Sequence, residues 1–134
     1  MNKNLLKKKD LTGIAALLIN IAKIDEHYTE VEKKIINNFI KKFTNKSEEV
    51  NEIFTDAEKI EKNSIQLLDF TNIIKKNSIE FKSLVIKELW QIILSDSNAD
   101  DFEVSMMRKI CGLIYFPDKL NGEIKLQVLK ELKL

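Results

Sequence analysis

Apolar residues recur along this chain at helical spacing almost without interruption. Ile14, Leu17, Leu18, Ile21 and Ile24 stand at the i, i+3, i+4, i+7 positions of one helix face and predict a first helix over residues 11–25. Thr29 and Glu32 form the S/T-x-x-E signature of a capping box, which opens a second helix with Val31, Ile35, Ile36, Phe39, Ile40 and Phe43 as its inner stripe. A polar break at Thr44, Asn45 and Lys46 leads to Ser47, a cap candidate for a third helix carrying Val50, Ile53, Phe54, Ala57 and Ile60. Leu67, Leu68, Phe70, Ile73 and Ile74 mark a shorter fourth helix over residues 65–75. Asn77 and Glu80 suggest the cap of a fifth, running to about Ser95 and apolar on two adjoining faces. Such a helix belongs at the centre of a bundle. A sixth starts near Asp100 or Asp101, with Val104, Met107, Ile110, Cys111 and Ile114 inside and Pro117 at its end. Ile124, Val128, Leu129 and Leu132 predict a seventh. No stretch alternates with the period of two that a strand requires. The expectation is an all-α chain of six or seven helices.

Composition agrees. Three glycines and one proline leave few breaks, and the abundant Lys, Glu and Leu favour helix. At 134 residues the chain is long enough for one hydrophobic core. Residues 1–10 read as a basic N-terminal arm and residues 11–134 as a single helical domain. With 22 basic and 21 acidic residues the net charge is +1, unlike the electrostatic footprint of a nucleic-acid binder. The apolar run after the arm is interrupted by Asn20 and lacks a signal-peptidase pattern. A single cysteine, Cys111, sits among apolar residues and reads as a buried structural thiol. A reducing, cytoplasmic location is the expectation.

Charge is concentrated in two matching places. Residues 25–32 read Asp-Glu-His-Tyr-Thr-Glu-Val-Glu, and residues 96–103 read Asp-Ser-Asn-Ala-Asp-Asp-Phe-Glu. Each window begins with Asp, ends with Glu seven positions later, and holds four carboxylates with no Lys or Arg. Each follows one apolar helix and precedes another, and the two lie about half the chain apart, as an internal pseudo-twofold repeat would place them. Carboxylates at a helix N-terminus complement its dipole, which accounts for Glu32, Asp100 and Glu103 as capping groups. Asp25 and Asp96 end the preceding helix, where the dipole disfavours them. They either reach across to cap the next helix or join Glu32 and Glu103 in holding a hard cation such as Ca²⁺ or Mg²⁺. Asn98 and Asp100 extend the second window toward a calcium-loop pattern. That pattern then fails, because Asp101 and Met107 stand where an EF-hand needs Gly and Glu. His27, the lone histidine, reads as a loop residue.

With this doubled motif the sequence resembles the TerB-like family, whose hallmark is an apolar helix ending in Ala-x-x-Asp-Gly with a Glu seven residues after the Asp, occurring twice. The first copy here is Ala22-Lys23-Ile24-Asp25 through Glu32. The second runs from Leu89-Trp90 to Asp96 and Glu103, followed by Arg108 and residues 110–113. Glu26 and Ser97 replace the usual glycines. The resemblance implies a compact helical array with internal pseudo-symmetry and an acidic surface at Asp25, Glu32, Asp96 and Glu103. It also implies a link to tellurite or stress resistance, with metal binding or membrane-associated complexes proposed for the group. The leading expectation is therefore a non-enzymatic module presenting a paired acidic site to a protein partner or a divalent cation. One alternative is a metal-dependent hydrolase using the clustered carboxylates, although no H-E-x-x-H, phosphate loop or nucleophile elbow occurs. Another is a helical adaptor bound to a membrane surface through Lys3, Lys7, Lys8 and Lys9.

Overall fold

The computed structural model describes residues 7–23, 28–44, 46–63, 67–95 and 101–132, leaving aside the side chains of Leu67, Asp101, Phe102 and Glu103. Among these residues it has seven helices and no strand: α1 (Lys8–Ala22), α2 (Glu30–Lys41), α3 (Ser47–Lys62), α4 (Leu67–Lys75), α5 (Ile79–Leu94), α6 (Asp101–Leu113) and α7 (Asp118–Leu132). The all-α expectation holds, element for element.

Two helices make the centre. In α5 the buried set includes Val85, Ile86, Leu89, Trp90, Ile92, Ile93 and Leu94, as its two apolar faces require. Helix α1 is buried on more of its circumference than its stripe suggested, from Leu11 to Ala22 with only Asn20 turned outward. Its Gly13, Ala15, Ala16 and Ala22 are small, so α2, α3, α4 and α5 can all pack against it. Helix α7 packs chiefly on α5. None of the described helices is long and apolar enough to cross a membrane.

Several local details differ from expectation, each for a physical reason. Helix α1 starts at Lys8, so Lys8, Lys9 and Asp10 are helical; the Thr12 hydroxyl donates to the Lys8 carbonyl at 2.8 Å. Val31 is 59% exposed, because the inner face of α2 runs through Glu32, Ile36, Phe39 and Ile40 at spacings of three and four. Ser47 is the first residue of α3 and does not cap it; Lys46 holds the cap position without a side-chain bond. Ser78, not Asn77, caps α5, its hydroxyl accepting from the Phe81 amide at 3.2 Å. Ile60, Leu68 and Leu132 are exposed rather than inner.

Pro117 does not itself stop α6. The Phe116 amide donates to the Cys111 carbonyl at 2.8 Å and the Tyr115 amide to Gly112 at 3.3 Å. This is a Schellman closure, with Tyr115 in the left-handed region at φ 60°. Pro117 instead opens α7, its carbonyl accepting from the Asn121 amide at 3.1 Å.

Candidate functional site

The two acidic windows fall between α1 and α2 and between α5 and α6. Asp25, Asp96, Asn98 and Asp100 lie outside the described residues, as does His27. Glu103 is the third residue of α6, and its side chain is also outside the description. The described residues include Glu32, the residues from Tyr28 to Val31, and Lys23 just before the first window.

Glu32 is 3% exposed. Its Oε1 accepts from the Thr29 amide at 2.8 Å and lies 3.3 Å from the Thr29 hydroxyl, while the Glu32 amide donates to Thr29 Oγ1 at 3.2 Å. That is a complete capping box, satisfying two amides that α2 would otherwise leave open. The sequence reading of Glu32 as a capping group is what the geometry shows. Its neighbours face the other way: Glu30 is exposed and within 3.3 Å of Lys33 Nζ, and Val31 stands open beside it.

The approach to the window and its middle are tied to α3. Before it, Lys23 Nζ meets Glu61 Oε1 at 2.6 Å, and Asn20 donates to Glu61 Oε2 at 3.4 Å. Within it, the Tyr28 hydroxyl donates to Glu58 Oε2 at 3.2 Å. Two ammonium groups approach the Tyr28 ring, Lys33 at 5.0 Å and Lys23 at 5.5 Å from its centroid. The Lys33 contact stands where the usual apolar staple would be, since Tyr28 precedes the cap and Lys33 is four residues after it. Burial, then the negative charge of Glu58, pushes the Tyr28 phenol well above its ordinary range. It therefore stays a neutral donor to Glu58. Among the described residues, no group of three or more His, Cys, Asp or Glu side chains is placed to hold a metal ion.

Away from the windows, Lys7, Lys8 and Lys9 are exposed, and Lys8 pairs with Glu52. Lys8, Lys9, Thr12, Asp56, Lys59 and Ile60 line an open groove of about 560 Å³ between α1 and α3. Cys111 is buried, and desolvation pushes its thiol up to about 12, which keeps it protonated and inert at neutral pH.

Sequence reasoning missed two buried polar contacts. Glu88, within α5, meets Lys42 Nζ at 2.7 Å. Trp90 Nε1 donates to Asn121 Oδ1 at 2.8 Å, joining α5 to α7. The signal for the first was present: Glu88 stands four residues from both Leu84 and Ile92, on an apolar face where a lone acid needs a partner.

The family model described as Tellurite resistance protein TerB matches residues 11–126. No curated protein and no solved structure matches the chain.

Proposed function

The chain belongs to the TerB family, and on that premise we propose that it is a non-enzymatic, tellurite-resistance-related module of the cytoplasm that docks a protein partner on its acidic windows. The observation that carries this reading is the division of labour at the start of α2. Glu32 is spent on the capping box, whereas the adjacent Glu30 and Val31 face outward. An exposed acid beside an exposed apolar side chain is the chemistry of a docking ledge, with contact area from Val31 and charge selection from Glu30. The ties from Lys23 and Tyr28 to α3 hold the chain that leads into the ledge. The chemically versatile side chains described here are engaged structurally: the Cys111 thiol by burial and Tyr28 by Glu58.

The test is survival on tellurite of cells dependent on this chain. Val31→Lys is expected to abolish protection while leaving the melting temperature of the purified protein within about 2 °C, since surface substitutions change stability little. Undiminished protection would sink the docking reading. A divalent cation at Asp25 and Asp96 is the competing occupant. It would raise the melting temperature when Ca²⁺ or Mg²⁺ is added. That rise would disappear in the Asp25→Asn, Asp96→Asn double variant.

A further inference from the structure

Glu88 sits in the wall of the core, its side chain 3% exposed, with Val85, Ile86, Leu89 and Ile92 of the same helix buried around it. Its counter-ion comes from elsewhere: Lys42, which caps the C-terminal end of α2, reaches across at 2.7 Å. The pair is lopsided, because the Lys42 side chain is 40% exposed. In the other ion pairs among the described residues the acid keeps between 11% and 90% of its exposure. Elsewhere, then, a carboxylate that loses its lysine still has water. Glu88 does not.

The same end of α2 makes one further specific contact with α5. Phe43, next to Lys42, meets Phe81 edge-on at 5.7 Å between ring centroids and Phe39 at 5.2 Å. An ion pair and an aromatic contact thus sit side by side on one seam.

We infer that Lys42 and Glu88 form a charge-dependent clasp that seats the C-terminal end of α2 on α5. A buried carboxylate with no counter-charge has two ways to relax: it takes up a proton, or it gains water by moving its cover aside. The end of α2 meets α5 here through the clasp and the phenylalanine contact, just beyond Phe39 and Ile40, which seat the helix in the core. Loss of the Lys42 charge therefore lifts that end of α2 while α1, α5 and α7 stay packed. The clasp makes α2, the helix whose first turn bears Glu30, Val31 and Glu32, the element that responds to charge at a distant surface lysine.

Amide hydrogen exchange on the full chain at neutral pH tests this, because it reads local opening separately from global unfolding. In Lys42→Met, the amides of the last two turns of α2 are expected to exchange faster by at least about tenfold, less than a fully buried pair would give because the Lys42 side chain is 40% exposed. Amides in the middle of α1 and α5 should change by a clearly smaller factor. Glu88→Gln removes the buried charge and keeps an acceptor for the Lys42 ammonium, so α2 should keep near-wild-type protection. Lys42→Met with Glu88→Leu should restore it as well. A common acceleration in α1, α2 and α5 would overturn the clasp, showing only general destabilisation. Unchanged α2 exchange, with the Glu88 carboxyl protonated at neutral pH by carbon NMR, would also overturn it. Lys42→Gln, which keeps an amide donor for Glu88, serves the same comparison if Lys42→Met does not fold.

Discussion

A Cβ placed on Gly13 would stand 3.0 Å from Cδ1 of Phe70 and 3.1 Å from Cδ1 of Ile73. The glycine is thus a packing residue, letting α1 and α4 approach so closely that an added Cβ would press on Phe70 and Ile73. Gly112 is the opposite case: exposed in α6, with nothing within 4 Å of the added atom. Gly13→Val should therefore destabilise the fold by about 1–3 kcal/mol through overpacking. Gly112→Ala should stabilise it by about 0.5–1 kcal/mol by restricting the unfolded chain. Urea unfolding of both variants decides between this and a uniform gain in helix propensity, which would stabilise both. Cys111 supplies a pH test. Its thiol is raised from 9.0 to about 12 in the fold. Between those values the unfolded chain releases a proton that the folded chain keeps, so folding is penalised as pH rises. Stability contributed by the protonated thiol is complete below about pH 8.5 and is lost toward pH 12. The expected result is a smaller alkaline loss of stability in Cys111→Ala than in wild type between about pH 8.5 and 10, before Tyr28 begins to add to the slope. Equal slopes would mean that the thiol is not held up by burial.

Helix ends carry most of what distinguishes one element from another here. The close of α6 places a tyrosine at the left-handed position that Schellman endings usually give to glycine. A side chain there costs about 1–2 kcal/mol against Gly. Tyr115 recovers part of that through Lys75, whose ammonium lies 4.7 Å from its ring centroid. An exposed contact of this kind contributes only about 0.5–1 kcal/mol. Tyr115→Gly should then raise stability by roughly 0.5–1 kcal/mol, the difference between those terms. A loss instead would show that the ring does more than sit on the surface. This ending also shows where sequence reading reaches its limit. Pro117 was a visible stop signal, but the stop is made by amides of Tyr115 and Phe116 that no residue type announces. Thr29 and Glu32 were legible because a capping box is a local motif whose two bonds are both set by spacing. The start of α5 was not, since Asn77 and Ser78 are both good caps and the choice depends on where the chain leaves α4. Asn77 is used otherwise, its side chain donating to the Ile73 carbonyl at 2.8 Å.

The all-α architecture was legible because apolar residues recur at helical spacing in every helix, and periodicity records burial. The acidic windows were legible as repeated spacing, and Glu32 as a cap. The Lys42–Glu88 and Trp90–Asn121 contacts join residues far apart in the chain, and single-chain patterning does not encode which polar partner answers which. The second of these contacts decides how α7 belongs to the molecule. Helix α7 packs chiefly on α5 and offers few fully buried side chains, Asn121 and Val128. Trp90 is buried, with its N–H on Asn121 and the Lys125 ammonium 5.2 Å from its ring centroid. Asn121→Leu keeps bulk at the position but leaves the indole N–H without an acceptor, at a cost of about 1–3 kcal/mol. That cost falls on the α5–α7 seam, so α7 should detach before the rest unfolds. Trp90 is the only tryptophan, which makes its fluorescence a reporter of this seam alone. In wild type, urea transitions by fluorescence and by far-ultraviolet circular dichroism should coincide, as for a two-state domain. In Asn121→Leu the fluorescence transition should move to lower urea and separate from the helical signal. If both move together, α7 is an integral part of the cooperative core, and the hydrogen bond stabilises the whole domain rather than one helix.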